Sequence, residues 1–186
     1  NTGAVALEPQ EIRNCLIIML SEEFYKKIDD LKSYDNFKKS IKLTEAKNEI
    51  EFPMELILRF FISKHNKIDF SNYNQSSSLL SDFLDKETTK LVNDGSFKID
   101  NEILIFKKVF DLLFEILGDN SFKKFNAIKG DFEGPFLQSS FEAICTGLAN
   151  NIEYYEIDGK LKLKSKIETL YQQEGYLEHS ARGKKA

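Results

Sequence analysis

The chain has 186 residues, with 30 acidic and 26 basic side chains and a formal net charge of −4 at pH 7. This length suits one ordinary domain, or one and a half, and buries enough surface to fold without a disulfide or metal. The apolar fraction of 41% excludes a disordered chain, and only 3 Pro and 9 Gly argue against a many-turned β-sandwich. The slightly acidic charge gives no overall electrostatic reason to bind nucleic acid or an anionic membrane.

Helical periodicity dominates the first third of the chain. Residues 9–20 place four apolar side chains at helical spacing, and Pro9 fits the first turn, where a missing N–H costs nothing. This stripe consists of Ile12, Cys15, Leu16 and Met19. We expect a break near Ser21, a second helix over residues 22–32, and one short helix in the polar stretch 33–48.

The middle of the chain predicts further helices. One starts at Pro53, with Leu56, Ile57, Phe60 and Phe61 on one side, and a loop rich in Asn and Ser follows over residues 66–78. Ser78 is the predicted cap of the next helix, which ends at Asp94-Gly95. Residues 102–117 are apolar almost all round, which predicts the central, most buried helix. Gly118 occupies the position of a left-handed C-terminal cap.

The last third predicts a short helix from Asn120 through Phe125 and another opened by Pro135. Residues 152–163 fit a small hairpin around Asp158-Gly159 and, nearly as well, a helix broken at Gly159. Residues 164–178 are predicted to be helical, and residues 180–186 form a basic, frayed tail. The predicted fold class is therefore all-α, an irregular multi-helix bundle with at most one short β-hairpin near the C-terminus.

The usual catalytic constellations are absent from the sequence: it has no Gly-rich phosphate loop, no nucleophile elbow and no zinc-protease motif. His65 and His179 lie too far apart for zinc-type spacing, and we expect Cys15 and Cys145 to be buried, reduced thiols of a cytoplasmic protein. The longest apolar run, Cys15 to Leu20, is far shorter than a membrane span.

Charged residues give two weaker signals. Only three of the basic residues are Arg. Arg59 fits an interhelical salt bridge, a side-chain stem lying along apolar surface, or an anion contact. The C-terminal end is locally positive, which predicts either a solvated face or a contact with the phosphate backbone of nucleic acid. The residues concerned are Lys160, Lys162, Lys164, Lys166, Arg182, Lys184 and Lys185.

The first fourteen residues carry a more specific pattern. Asn1-Thr2-Gly3, then Leu7, then Pro9-Gln10-Glu11-Ile12-Arg13-Asn14 resembles the signature that closes the ParB-like domain of GmrSD-type restriction proteins. Four later segments resemble, in the same order, less specific motifs of that family. They are Leu58-Arg59-Phe60, Phe83-Leu84, the apolar run from Phe106 to Gly118 followed by Phe122, and Phe141-Glu142-Ala143.

The resemblance implies a bacterial defence protein that restricts foreign DNA, in which a ParB/sulfiredoxin-like nucleotidase domain is followed by a helical region and often by an HNH-type nuclease. The family's Asp-Gly-Gln-Gln-Arg motif and its His-Asn-His motif are not in this sequence. We therefore expect a non-catalytic fragment: residues 1–14 as the end of the ParB-like domain, 15–150 as the helical domain, 151–179 as the hairpin or helix extension, and 180–186 as the tail.

The resemblance also implies site residues and partners. Asn1, Thr2, Gly3, Glu11 and Arg13 would complete the nucleotide site, with Arg13 contacting a phosphate or a carboxylate through its planar fork. A nucleoside triphosphate and Mg²⁺ would be cofactors of the full-length protein and not of this fragment. The expected partners are the rest of the polypeptide, DNA and a second copy of the chain, without a membrane. The alternative function is a helical protein-interaction or dimerisation module of unrelated role.

Overall fold

A computed structural model of the protein describes residues 7–49, 51–65 and 77–176. Within these ranges the chain forms ten α-helices and a single two-stranded antiparallel sheet, which confirms the predicted all-α class. The chain divides into two compact units, Asn1–Tyr34 with Leu43–Leu104, and Asp35–Lys42 with Ile105–Ala186. The domain boundaries drawn from the sequence stay predictions.

The first unit is built from helices around an aliphatic and Phe-rich core. Its helices are α1 (Pro9–Leu20), α2 (Glu22–Leu31), α4 (Glu45–Glu49), α5 (Phe52–His65), α6 (Ser77–Asn93) and the start of α7 (Ile99–Leu117). Ser21 separates α1 from α2 and caps α2, because its hydroxyl accepts a hydrogen bond from the Phe24 amide at 3.2 Å. Phe97 packs against Phe61 with ring centroids 5.9 Å apart and holds the α6–α7 loop on this core.

The second unit is built around a cluster of phenylalanines. It contains α3 (Asp35–Ile41), the rest of α7, a 3₁₀ turn (Gly118–Asn120), β1 (Lys124–Asn126), β2 (Asp131–Glu133), α8 (Gln138–Ala149), α9 (Ile152–Tyr154) and α10 (Lys160–Leu170). Phe110 lies at the centre of the cluster, with ring centroids 4.9 Å from Phe37 and 4.5 Å from Phe106. Gly118 ends α7 with φ +56°, as the sequence predicts for a left-handed cap.

Several sequence predictions are corrected by the structure, and one of them is the helix predicted over residues 164–178, since α10 ends at Leu170. Residues 33–48 hold two short helices, α3 and α4, where one was expected. The helix predicted from Asn120 through Phe125 does not form, because residues 124–126 pair with residues 131–133 as a hairpin, with Phe125 opposite Phe132. Gly130 with φ +67° supplies the left-handed conformation that this turn requires. Pro135 precedes α8 by three residues and lies outside it.

Residues 152–163, for which a hairpin and a broken helix both remained open, are helical. A π-helical turn (Tyr155–Gly159) joins α9 to α10. A Cβ atom added at Gly159 would lie 2.5 Å from the Tyr154 Cε1 atom, so this turn requires glycine for close approach of the ring. The Asp158-Gly159 pair that resembled a hairpin turn therefore accommodates a bulge within a helix.

Candidate functional site

The start of α1 satisfies its own backbone donors. The Glu8 amide donates to the Glu11 carboxylate at 2.8 Å, which places a negative charge where the helix dipole favours one. The sequence predicted that this helix start favours an anion, and in the structure the carboxylates of Glu8 and Glu11 both bind backbone amides there. Asn1, Thr2 and Gly3, the other residues predicted to complete a nucleotide site, lie outside the described residues.

Arg13 is the most deeply buried charged residue of the described chain, with 1% of its side chain exposed. Its Nε donates to Asp85 Oδ1 on α6 at 2.6 Å, and its Nη1 lies 3.8 Å from Glu55 Oε2 on α5. Nη2 also donates to the Ser81 hydroxyl at 3.2 Å, and Nη1 donates to Gln10 Oε1. The rigid guanidinium fork therefore ties α1 to two other helices, and carboxylates occupy the directions in which a phosphate could bind.

Glu55 extends this ionic cluster to a second arginine. Its Oε1 accepts from Arg59 Nε at 2.8 Å and lies 2.7 Å from Arg59 Nη2, one helical turn along α5. Two carboxylates and two guanidinium groups thus meet in one region, in which Arg13 is buried and the other three side chains are partly buried, and their formal charges cancel. Such pairing is what makes a buried charge tolerable in a protein interior. The structure shows a salt bridge within α5 for Arg59, and the interhelical salt bridge and the anion contact that the sequence left open stay predictions.

The opposite side of α1 is apolar and faces solvent. Ile12 is 53% exposed and Met19 is 84% exposed, while Gln10, Arg13, Asn14 and Ile17 form the buried side. The expectation that Cys15 is buried is therefore wrong, because this residue lies in the outward stripe. Burial of the Arg13 cluster determines which side of the helix points inward. Cys145 is buried as expected, and burial raises the pKa of its thiol well above the usual range.

The lysines of α10 do not form one basic row. Because the segment is helical, side chains two residues apart point in different directions, and among these lysines only neighbours four residues apart share a side. Lys160 forms an ion pair with Glu115, Lys164 lies 4.0 Å from Glu168, and Lys166 donates to the Tyr155 hydroxyl at 3.2 Å. Lys162 is exposed. Arg182, Lys184 and Lys185 lie outside the described residues, so the nucleic-acid contact stays a prediction.

His65 lies at the end of α5 and contacts the α6–α7 loop. Its Nε2 is 3.0 Å from Asp94 Oδ2, and its ring packs edge-on against Phe97 at 5.0 Å. Hydrogen bonds from Ser96 and His65 lower the pKa of the Asp94 carboxyl to about 2. His65 therefore holds the α6–α7 loop against the end of α5. His179 lies outside the described residues. Within the part of the chain that the structure describes, no group of His, Cys, Asp and Glu is arranged to hold a metal ion.

Sequence reasoning missed the partners of Arg13. Glu55 and Arg59 are four residues apart on one helix, a spacing that indicates their ion pair. Nothing in the local sequence distinguishes Asp85, which lies 72 residues from Arg13, from the many other acidic residues. None of the helices described here is long and apolar enough to cross a membrane.

Comparisons with known proteins add no assignment. No protein-family model matches the sequence, and neither the curated proteins nor the solved structures contain a match.

Proposed function

We propose that this chain is a helical, non-catalytic part of a bacterial anti-phage restriction protein of the GmrSD type. In that protein it would couple a nucleotidase domain to DNA or to a nuclease module. The observation that supports the proposal is the way the segment Pro9–Asn14 is held. This segment carries the resemblance to the end of the ParB-like domain, and Gln10, Arg13 and Asn14 within it are buried.

The physical basis of the coupling is the fork of Arg13. Its contacts with Asp85 on α6 and Glu55 on α5 make α1 a rigid connection between the N-terminal segment and the helices behind it. A displacement of α1 would have to move those carboxylates or separate buried charges, which costs several kcal/mol. In this proposal Arg13 is a positioning residue. The nucleoside triphosphate and Mg²⁺ would bind to the nucleotidase domain.

The first test is the sequence encoded upstream of Asn1. The proposal expects an Asp-Gly-Gln-Gln-Arg motif there, followed directly by Asn1-Thr2-Gly3. The second test measures nucleotide hydrolysis by the full-length protein with and without DNA. Arg13→Lys keeps the charge and removes the planar fork, so basal hydrolysis should persist while its dependence on DNA is lost.

A matched control is Lys26→Met, which removes an exposed cation that pairs with Glu22 on α2. This variant should behave as the wild type in both assays, because exposed ion pairs contribute little. A full-length protein that hydrolyses no nucleotide contradicts the proposal, as does an Arg13→Lys variant with unchanged dependence on DNA.

The proposed DNA contact has its own experiment. Retention of the chain on double-stranded DNA should weaken steeply with salt, because each neutralised phosphate releases a counterion. Lys162→Ala removes an exposed cation. It should reduce the slope of the logarithm of the binding constant against the logarithm of the salt concentration by about 1, the contribution of one phosphate contact. If the chain is not retained at low salt, the contact does not exist in this part of the protein.

The second candidate is a helical protein-interaction module of unrelated role. The exposed apolar side of α1 supports it, because contiguous apolar patches on a protein surface mark interaction sites. The upstream sequence separates the two candidates. An unrelated domain or an unrelated leader before Asn1 would favour the interaction module.

A further inference from the structure

We infer that one side of the segment from α9 to α10 binds single-stranded DNA, with an unpaired base stacked on a tyrosine ring and the neighbouring phosphates beside lysines. We call this surface the tyrosine strip and define it as Tyr154, Tyr155, Gly159, Lys162 and Lys166. The inference rests on the DNA contact of the proposed function and deepens it, because it names the form of the DNA and the residues that hold it.

The two tyrosines present aromatic surface that the fold holds in place. Their ring centroids lie 5.1 Å apart, with an angle of 73° between the ring planes. Both rings lie over Gly159, where an added Cβ atom would come within 2.5 Å of Tyr154 and 2.7 Å of Tyr155. Tyr154 is nevertheless 43% exposed, so a ligand can reach its ring from solvent. The π-helical turn that creates this arrangement is a feature found frequently at functional sites.

Lys166 shows that the faces of both rings are open to a group from solvent. Its Nζ atom lies 5.6 Å from the ring centroid of Tyr154 and 5.4 Å from that of Tyr155, and it donates to the Tyr155 hydroxyl at 3.2 Å. The Lys166 side chain is exposed and has a flexible four-carbon stem. A base that stacks on Tyr154 displaces this ammonium group, which then donates to the adjacent phosphate. Binding thus replaces one cation–π contact by a base–aromatic contact and a charge-assisted hydrogen bond.

The charges along the tyrosine strip suit a phosphate backbone. Because α10 is helical, Lys162 lies on the same side as Lys166, four residues away. Lys162 is exposed and forms no ion pair with the part of the chain that the structure describes. Of the acidic residues nearby, Glu156 is paired with Lys108 at 2.7 Å, and Asp158 lies four residues before Lys162. Two lysines against one carboxylate leave this side of the helix positively charged.

The combination of rings and lysines favours a single strand over other ligands. In a duplex the bases are paired and stacked on one another, whereas the bases of a single strand are free to stack on aromatic side chains. Aromatic side chains also bind organic cations such as methylated lysine, but Lys162 and Lys166 would repel such a ligand. A base with its phosphates satisfies the rings and the two cations together.

The test is fluorescence anisotropy of a labelled oligothymidylate of about 12 nucleotides, titrated with the 186-residue chain at about 50 mM salt. Tyr154→Ala should weaken binding by about 5- to 150-fold, the effect of losing one base–aromatic stack. Tyr154→Phe keeps the ring face and should bind as the wild type does. Lys162→Ala should reduce the slope of the logarithm of the binding constant against the logarithm of the salt concentration by about 0.7, the value for one phosphate of a single strand.

Two further measurements separate stacking from a general loss of structure. Tyr25→Ala removes a half-buried tyrosine from α2 in the other compact unit, and it should leave binding unchanged. Photocross-linking of the wild-type chain to an oligonucleotide that carries 5-iodouracil requires no substitution. The cross-linked peptide should contain Tyr154 or Tyr155, and this result stands even if Tyr154→Ala fails to fold.

Absence of binding to the oligothymidylate at low salt overturns the inference. So does binding that Tyr154→Ala leaves unchanged in a folded protein, binding that Tyr154→Phe weakens as much as Tyr154→Ala does, or a cross-link confined to other residues. A duplex of the same length that binds as tightly as the single strand also overturns it, but leaves the DNA contact of the proposed function standing. Nucleotide hydrolysis and the sequence upstream of Asn1 test the proposed function without involving the tyrosine strip, so the two can fail separately.

Discussion

Replacing Arg13 with methionine tests how much the buried ionic cluster contributes to stability. Methionine approximates the apolar stem of arginine, so the substitution removes the guanidinium and keeps most of the packing of the stem. Asp85 and Glu55 then lose a cation that lies 2.6 Å and 3.8 Å from their oxygens. Glu55 keeps Arg59, whereas Asp85 loses its closest charged partner.

The size of the effect follows from burial. Removing one partner of a buried ion pair costs about 3–5 kcal/mol, because the remaining charge is left without compensation. The Asp85 side chain is 33% exposed, so water solvates part of the orphaned carboxylate and the lower end of the range applies. We therefore expect Arg13→Met to lower the free energy of unfolding by about 3 kcal/mol, a large share of the stability of an ordinary domain.

The assay is urea denaturation followed by circular dichroism, with the double variant Arg13→Met/Asp85→Leu completing a mutant cycle. Replacing both charges by apolar side chains should recover about 2 kcal/mol of the loss, since no charge is then left unpaired. Lys26→Met, which breaks an exposed pair on α2, should cost less than about 1 kcal/mol. An Arg13→Met variant within about 1 kcal/mol of wild type, or strictly additive effects of the two substitutions, would refute the reasoning.

Three further predictions concern glycine, tyrosine and cysteine. Gly159→Ala should destabilise the protein by about 1–3 kcal/mol in thermal melts, because its Cβ would collide with the Tyr154 ring. Gly147→Ala, in the last turn of α8 where an added Cβ meets no atom within 4 Å, should be neutral or stabilising in the same melts. Burial raises the pKa of Tyr171 to about 12, so folding favours its neutral form. The stabilisation that results should be complete below about pH 10 and should fall as the pH rises from about 10 to about 12. This dependence of stability on pH should disappear in Tyr171→Phe. A thiol reagent should modify Cys15 quickly and Cys145 only on unfolding, and two equally fast reactions would contradict the described burial.

Local sequence was sufficient for much of the helical framework. The periodicity of residues 9–20 predicted α1 with its observed ends, and the long apolar run predicted α7 with Gly118 as its left-handed cap. These features depend on contacts between residues three or four apart and on the conformational freedom of a single glycine, which a sequence displays directly. The hairpin at residues 124–133 was missed because its strands are only three residues long and lack a sustained alternation.

Only the tertiary structure decided which side of α1 is buried. The sequence offered an apolar stripe around Ile12 and a polar side with Arg13, and the usual preference is to bury the stripe. Burying Arg13 requires carboxylates at the right distance, and Asp85 and Glu55 come from helices far along the chain. Long-range ionic partners of this kind leave no local pattern. The sequence by itself thus determined that α1 is an amphipathic helix, and three-dimensional charge pairing turned its apolar side towards solvent.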